Sequence, residues 1–189
     1  MTSILITGGA RSGKSRFAQE LALKSAKSVL FVATAFAGDE EMRQRIAEHR
    51  RTRPAAWTTL EVTTHLGSRI RQEIGVAQVV IIDCITLLIN NIFTRYAGPA
   101  AEDIDASLVE KDIVSEIDEL IDCIDRLDVD FIMVTNEVGA GLVPANQMSR
   151  CYRDLLGRAN QMLARRADEV YLMVAGLPMR IKPAGHSGR

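Results

Sequence analysis

Cysteine is scarce in this chain of 189 residues: there are only Cys84, Cys123 and Cys151, and no two of them have CxxC spacing. An odd number of scattered cysteines favours neither a disulfide framework nor a zinc site. The N-terminus has no basic residues ahead of its short apolar run, which is not the pattern of a signal peptide. No segment approaches the ~20 apolar residues of a membrane helix. We therefore expect a cytoplasmic protein with no membrane span.

Excess charge of either sign is also lacking, because the formal net charge is only -1. A dedicated nucleic-acid-binding domain is usually distinctly basic, so no nucleic-acid partner is expected. Two segments depart from this balance. Residues 43–53 contain five arginines, one acid and His49, whereas residues 102–130 contain twelve acids and two bases. Apolar residues recur every three or four positions in the acidic segment, which predicts a helix with one apolar face, against the core or an interface, and a solvated acidic face.

Short, almost continuously apolar runs alternate with helical patterns along the chain. Such runs are typical of strands that are covered on both faces, as in a parallel sheet. We predict strands at 3–7, 28–34, 79–83, 130–136 and 169–176, and helices at 14–27, 39–53, 65–74, 85–94 and 145–167 besides the acidic helix. The order predicts one domain over residues 1–189: a doubly wound, mostly parallel α/β sheet flanked by helices, like that of P-loop NTPases. We expect a loop at Gly98–Pro99 and a frayed tail after residue 182.

A phosphate-binding loop is the strongest motif. GGARSGKS, from Gly8 to Ser15, matches G-x-x-x-x-G-K-[ST] between a predicted strand and a predicted helix. Glycines let the loop turn its backbone N–H groups inward, Lys14 reaches terminal phosphates, and the Ser15 hydroxyl can bind magnesium. The motif predicts that the protein binds a nucleoside triphosphate with Mg²⁺.

An acid is needed to complete the metal site of such a loop, commonly at the end of an apolar strand. Asp83 ends the run VVIID, although an aspartate there could instead cap the following helix. Glu137, in VTNEVGAG, is a second candidate, and a structural turn explains it equally well.

His49 lies within the arginine-rich segment. In a helix, Arg45 and Arg53 would flank it at i−4 and i+4, and Pro54 would end the helix. Nearby guanidinium groups disfavour protonation of the imidazole and bind phosphate oxygens, a combination that suits nucleophilic attack on phosphorus. A solvated basic helix face with an incidental histidine is the alternative. The other histidines have no comparable setting, and we interpret His65 as structural or superficial.

Several blocks together resemble one family. GGARSGKS, DEEMRQRIAEHRRTRPAAW, IIDCITLLINN, VTNEVGAGLVPAN and YRDLLGRANQMLARRADEVYLMVAG are similar, in content and order, to the bifunctional adenosylcobinamide kinase / adenosylcobinamide-phosphate guanylyltransferases of cobalamin biosynthesis. The resemblance extends from about Ile4 to Lys182. It implies two reactions. A nucleoside triphosphate phosphorylates the aminopropanol hydroxyl of adenosylcobinamide, and GMP is then transferred from GTP, through a histidine–GMP intermediate, to give adenosylcobinamide-GDP and pyrophosphate.

The resemblance also implies roles for individual residues. His49 matches the histidine that accepts GMP, while Glu61 and Asp83 match acidic positions of the nucleotide and metal site. With Ser15 of the P-loop motif, Asp83 is the expected metal ligand. The nucleotide-binding positions are Gly8, Gly9, Ala10, Arg11, Ser12, Gly13, Lys14, Ser15, Ala33, Thr34, Ala35, Arg50, Arg51, Thr52, Arg53, Glu61 and Asp83. Ala145 departs from the family, whose members often carry an acid after the proline. A homotrimer is implied, with adenosylcobinamide, its phosphate, GTP and ATP as substrates and Mg²⁺ as cofactor.

Two other functions are compatible with a P-loop. A monofunctional kinase of another small alcohol would use His49 only as a phosphate contact. A regulatory nucleotide switch would require a guanine-specificity loop of the NKxD type, and the chain contains no NKxD. The sequence does not distinguish ATP from GTP as the phosphoryl donor.

Overall fold

The computed structural model describes residues 1–25, 27–35, 40–51, 53–96 and 105–183; within the second helix it describes only the backbone of residues 41, 42, 45, 46, 48 and 49. In chain order the elements are β1 (Ser3–Gly8), α1 (Lys14–Ser25), β2 (Val29–Ala33), α2 (Glu40–Arg51), β3 (Thr58–Glu61), α3 (Leu66–Glu73), β4 (Val79–Asp83), α4 (Ile85–Phe93), α5 (Ala106–Arg126), β5 (Asp130–Val134), α6 (Gln147–Arg166), β6 (Glu169–Val174) and β7 (Leu177–Lys182).

The strands form one seven-stranded sheet in the order β3-β2-β4-β5-β1-β6-β7. Neighbouring strands are parallel except for β6 and β7, which are antiparallel. Successive residues of the central strands are buried against opposite layers: Leu5 and Val80 pack with α3 to α6, whereas Ile6 and Ile81 pack with α1. Burial on both faces explains the continuous apolar runs and confirms the predicted doubly wound, mostly parallel sheet.

Two edge strands are absent from the sequence prediction. β3 exposes three of its four residues, and β7 is almost wholly exposed, so neither has the apolar run of a buried strand. β7 also contains Pro178, which edge strands tolerate. The predicted strand at 169–176 is too long, because Ala175 and Gly176 adopt φ of 50° and 84° in the turn that joins β6 to β7. The Gly98–Pro99 loop, residue 39 and the tail from residue 184 lie outside the described residues.

The acidic segment forms α5, and its apolar side is part of the core. Its acids are only partly a solvated face, because many of them bind neighbouring elements. Glu116 accepts hydrogen bonds from the backbone N–H groups of His65 (2.8 Å) and Leu66 (2.7 Å), and Glu119 accepts one from Ser68 (2.7 Å). These carboxylates cap the N-terminus of α3, where backbone donors have no helical partner. Further acids of α5 form ion pairs with Arg71, Arg158 and Arg166.

Close contact between α3 and α5 depends on Gly67. A Cβ atom at this position would lie 2.4 Å from the backbone oxygen of Glu119. The glycine therefore lets the N-terminus of α3 reach the carboxylates that cap it. Among the described helices, none is long and apolar enough to cross a membrane.

Candidate active site

The loop between β1 and α1 has the conformation that its glycines allow. Gly8 and Gly13 adopt φ of 148° and 96°, and Arg11 adopts φ of 55°. A Cβ at Gly8 would lie 2.5 Å from the backbone oxygen of Met173 on β6, so this glycine is required by close packing as well as by its backbone angle. The loop is also held by its neighbours, since the N–H of Gly176 donates to Ser12 O (3.0 Å) and that of Glu137 donates to Gly8 O (3.0 Å).

Lys14 is the first residue of α1 and is buried, with 7% of its surface exposed. Its Nζ donates to the backbone oxygens of Gly8 (3.0 Å) and Gly9 (2.6 Å). Burial lowers the pKa of Lys14, and the nearby Asp83 carboxylate opposes that shift. The ammonium group is therefore desolvated and directed back over the loop, where an anionic phosphate would stabilise its charge.

The carboxyl ends of the parallel strands bring the other predicted residues to the same edge. Ala33 is in register with both Glu61 and Asp83, and Asp83 with Val134. A cavity of about 440 Å³ lies at this edge and is lined by Ala10, Arg11, Ser12, Gly13, Lys14, Ser15, Arg16, Ala33, Ala35, Arg53, Glu61, Asp83, Cys84, Leu87, Val134 and Asn136. The P-loop, Arg53 and two carboxylates therefore surround one space that is suited to a nucleotide with its metal ion.

Arg53 carries unused hydrogen-bonding capacity at this cavity. Its guanidinium carbon lies 3.8 Å from the centre of the Phe31 ring, whose face supports it. Its Nε and Nη1 atoms are buried and have no hydrogen-bond partner within the described part of the chain. Burial lowers the pKa of Arg53, with Asp83 acting in the opposite direction. Unsatisfied buried donors are rare in folded proteins, and a phosphate oxygen would satisfy these two.

Other predicted nucleotide-binding residues lie beside the cavity. Arg50, on α2, forms an ion pair with Glu61. Thr34 is fully buried, and its hydroxyl donates to Cys84 O (2.7 Å) and accepts from Cys84 N (2.8 Å). Thr34 thus fixes the segment after β4, next to Asp83, and does not line the cavity. Arg51 is exposed and does not line the cavity either.

Two predicted residues lie partly or wholly outside the part of the chain that the structure describes. His49 lies on α2, whose backbone from Glu40 to Arg51 is helical, but its side chain is not among those described. Thr52 is outside the described residues. Arg50 of α2 contacts the cavity-lining Glu61 from the turn that contains His49, so this helix runs beside the nucleotide site.

The candidate metal ligands differ in their position relative to the cavity. Ser15 and Asp83 both line the cavity, and their hydroxyl and carboxylate oxygens are ligands that Mg²⁺ prefers, so the residues fit the ion. Glu137 does not line the cavity, and its carboxylate accepts a hydrogen bond from Gly139 N (2.7 Å), which favours the structural turn. His65, Glu116 and Glu119 also cluster, but the carboxylates already cap α3.

A second, larger cavity adjoins the first. It has a volume of about 740 Å³ and is lined by Ala35, Arg43, Ala47, Arg50, Glu61, Val62, Thr63, Thr64, His65 and Arg69. Ala35 and Glu61 line both cavities. The exposed His65 is at its rim, at the N-cap of α3. The two cavities together offer room for more than a nucleotide.

Sequence reasoning missed five residues that line the nucleotide cavity: Arg16, Cys84, Leu87, Val134 and Asn136. Position in the motifs could have identified two of them. Cys84 directly follows Asp83, and Asn136 lies within VTNEVG. Burial raises the pKa of the Cys84 thiol to about 12, so this cysteine is protonated at neutral pH and is a poor nucleophile.

Comparison with known proteins gives consistent matches. The model of the family described as cobinamide kinase / cobinamide phosphate guanyltransferase matches residues 4–181. The bifunctional adenosylcobalamin biosynthesis protein CobU of Escherichia coli (strain K12) is 42% identical over 180 residues, which is 95% of this chain and 99% of that protein. The bifunctional adenosylcobalamin biosynthesis protein CobP of Pseudomonas aeruginosa is 42% identical over 94% of this chain and 96% of its own length.

A solved structure supports the fold alone. An ATPase from the type III secretion system of pathogenic bacteria has a TM-score of 0.58 and 10% sequence identity, and the match covers 90% of this chain and 50% of that one. At this identity the likeness concerns the arrangement of strands and helices and not the reaction.

Proposed function

The chain belongs to the cobinamide kinase / cobinamide phosphate guanyltransferase family, and we propose that it performs both reactions with adenosylcobinamide as the first acceptor and GTP as the guanylyl donor. The observation that carries the assignment of residues is the 440 Å³ cavity at the carboxyl edge of the sheet, where the P-loop, Arg53 and Asp83 meet. The monofunctional kinase is not favoured, because the relatives are bifunctional proteins and this chain matches them over nearly their whole length.

In the kinase step, the hydroxyl oxygen of the aminopropanol arm attacks the γ-phosphorus of a nucleoside triphosphate. The new O–P bond forms as the bond to the β–γ bridging oxygen breaks, so the nucleoside diphosphate leaves, and the hydroxyl proton passes to water. Lys14 and the loop N–H groups stabilise the charge that gathers on the β- and γ-phosphates. Arg53 supplies the two donors that have no partner among the described residues. Ser15 and Asp83 would hold Mg²⁺, which when bound neutralises phosphate charge.

In the guanylyl step, a ring nitrogen of His49 attacks the α-phosphorus of GTP and pyrophosphate leaves. An oxygen of adenosylcobinamide phosphate then attacks the same phosphorus, and the P–N bond breaks to free His49. Support for this role comes from the position of α2, which carries His49 next to Arg50 and beside the nucleotide cavity. The adjoining 740 Å³ cavity gives the bulky acceptor a place next to that helix.

Intact mass after incubation with GTP and Mg²⁺ tests the proposal. We expect one GMP per chain, bound through a phosphoramidate that is labile in acid and stable in alkali. His49→Ala should abolish the adduct, and the matched control His65→Ala should retain it, because His65 lies at the rim of the neighbouring cavity. An adduct that persists in His49→Ala would show that another residue is the nucleophile.

Two further expectations rest on the family and not on the described contacts. We propose a homotrimer, which light scattering coupled to size-exclusion chromatography would detect as a mass three times that of the chain. We also propose a cytoplasmic location, which fractionation of cells that express the protein would test.

A further inference from the structure

Asn136 occupies a central position that the reaction scheme above does not use. It lies two residues beyond β5, the strand between β4, which ends at Asp83, and β1, which leads into the P-loop. Asn136 lines the nucleotide cavity together with Lys14 and Asp83. The topology therefore places this residue between the phosphate-binding loop and the carboxylate assigned to the metal.

The backbone of Asn136 is fixed on both sides. Its N–H donates to the hydroxyl of Thr86 on α4 (2.7 Å), and its carbonyl oxygen accepts from the amide of Asn160 on α6 (3.0 Å). The Asn160 oxygen in turn accepts from Thr135 (2.7 Å). The next residue, Glu137, donates its N–H to Gly8 O in the P-loop (3.0 Å). Helices on one layer and the loop itself thus hold this segment in place.

The side-chain amide, in contrast, makes no hydrogen bond to the rest of the described chain. Neighbouring polar groups are engaged: Thr135 bonds to Asn160, and Glu137 to the N–H of Gly139. An amide carries two N–H donors and remains neutral at every working pH. A fixed backbone beside a phosphate cavity, with side-chain donors that have no partner in the described part of the chain, is the arrangement that electrostatic stabilisation of a transition state requires.

We propose that the Asn136 amide donates a hydrogen bond to an oxygen of the phosphoryl group in transfer during the kinase step. This inference rests on the proposed function. The bond strengthens as charge moves onto the γ-phosphoryl oxygens and the bridging oxygen departs, so the residue acts on the transition state more than on bound nucleotide. Thr86 and Asn160 are positioning residues, because they hold the backbone of Asn136 and do not line the cavity.

The test compares Asn136→Ala and Asn136→Asp with the control Asn90→Ala, an exposed asparagine on α4. Two rates are measured: phosphorylation of adenosylcobinamide by ATP, and formation of the protein–GMP adduct from GTP. Loss of one donor to a developing anion costs about 100-fold in kcat, so we expect this loss in Asn136→Ala with KM for ATP changed by less than about threefold. Adduct formation should stay close to the wild-type rate, because its reaction centre is the α-phosphorus.

Asn136→Asp separates a chemical role from a structural one. It has the same shape but offers no N–H at neutral pH and repels phosphate, so its kinase rate should be at most that of Asn136→Ala. A kinase rate near wild type in either variant, or an equal loss of adduct formation, would overturn the inference. Absence of both activities from the wild-type protein would instead refute the proposed function. If Asn136→Ala does not fold, the isosteric Asn136→Asp alone decides.

Discussion

At the scale of single residues, the nucleotide cavity is built from side chains that lie far apart in the chain. The P-loop and Asp83 follow from a motif and from the end of an apolar strand, and the structure brings them to one cavity. Arg53 was expected from the family resemblance, but two of its features are visible only in the structure. Its guanidinium lies over the Phe31 ring, 22 positions earlier in the chain, and its Nε and Nη1 have no partner among the described residues. Thr34 was predicted to bind nucleotide, but its hydroxyl is committed to Cys84, so we assign it a positioning role.

Lys14→Ala tests the phosphate-binding loop at this scale. Because the ammonium group acts on charge that develops between the β- and γ-phosphates, we expect kcat/KM for phosphorylation of adenosylcobinamide to fall by about 100-fold or more. Lys24→Ala, which removes an exposed lysine from the last turn of the same helix, is the control. Initial rates with varied ATP give the comparison.

Melting temperatures show whether a lower kinase rate of Lys14→Ala comes from lost catalysis or from a less stable fold. Removal of Lys14 eliminates a desolvated charge but leaves the oxygens of Gly8 and Gly9 without their donor, so these effects oppose each other and the melting temperature should change little. ATP should raise the melting temperature of the wild type and of Lys24→Ala, and much less that of Lys14→Ala. A kinase rate near wild type in a folded Lys14→Ala protein would remove this lysine from the reaction.

At the scale of elements, apolar periodicity located the buried strands and the helices but not the exposed edges. β1, β2, β4, β5 and β6 carry runs that both layers cover, whereas β3 and β7 are polar or exposed and have no such signature. The predicted strand at 130–136 was also two residues too long, because β5 ends at Val134. The N–H of Asn136 donates to the side chain of Thr86 and not to a neighbouring strand. An edge strand can therefore be predicted only when the strand that it pairs with is known.

The acidic helix α5 also has contacts that could not be predicted from its local sequence. Its apolar period was readable, but partners of its acids lie on α3 and α6, far away in sequence. Glu116 is only 6% exposed and caps α3, a role that the local sequence around it does not predict. The charge of this segment is therefore explained largely by intramolecular contacts.

Alanine at two helical glycines should have opposite effects on stability. Gly67→Ala would place its Cβ 2.4 Å from Glu119 O, so α3 must move away from its capping carboxylates. Overpacking of this kind costs about 1–3 kcal/mol, and the lost cap bonds add to it. Gly157→Ala, on α6, meets nothing within 4 Å and should stabilise the protein by about 0.5–1 kcal/mol. Urea unfolding followed by circular dichroism measures both, and a neutral Gly67→Ala would contradict the close packing of α3 on α5.

At the scale of the whole molecule, we propose that one sheet edge serves two reactions, in which different phosphorus atoms are attacked. The sheet places the P-loop, Asp83 and Asn136 on adjacent strands, while α2 carries His49 beside them. Kinase chemistry needs alignment and charge stabilisation at the γ-phosphate, whereas guanylyl transfer needs a nucleophile at the α-phosphate. The two reactions should therefore be separable by single substitutions.

Mixing two variants that are each deficient in one of the two reactions tests this separation. His49→Asn keeps a polar side chain but removes the nucleophile, so with ATP it should accumulate adenosylcobinamide phosphate and form no adenosylcobinamide-GDP. Asn136→Ala should form the GMP adduct but phosphorylate adenosylcobinamide about 100-fold more slowly. Because the phosphorylated intermediate can diffuse from one protein to the other, the mixture with ATP and GTP should form adenosylcobinamide-GDP at a rate that neither variant reaches alone. Product analysis by chromatography gives the rates, with the wild-type protein mixed with Asn90→Ala as the fully active control. If His49→Asn loses both activities while folded, His49 serves a single shared site, and the division of labour is wrong.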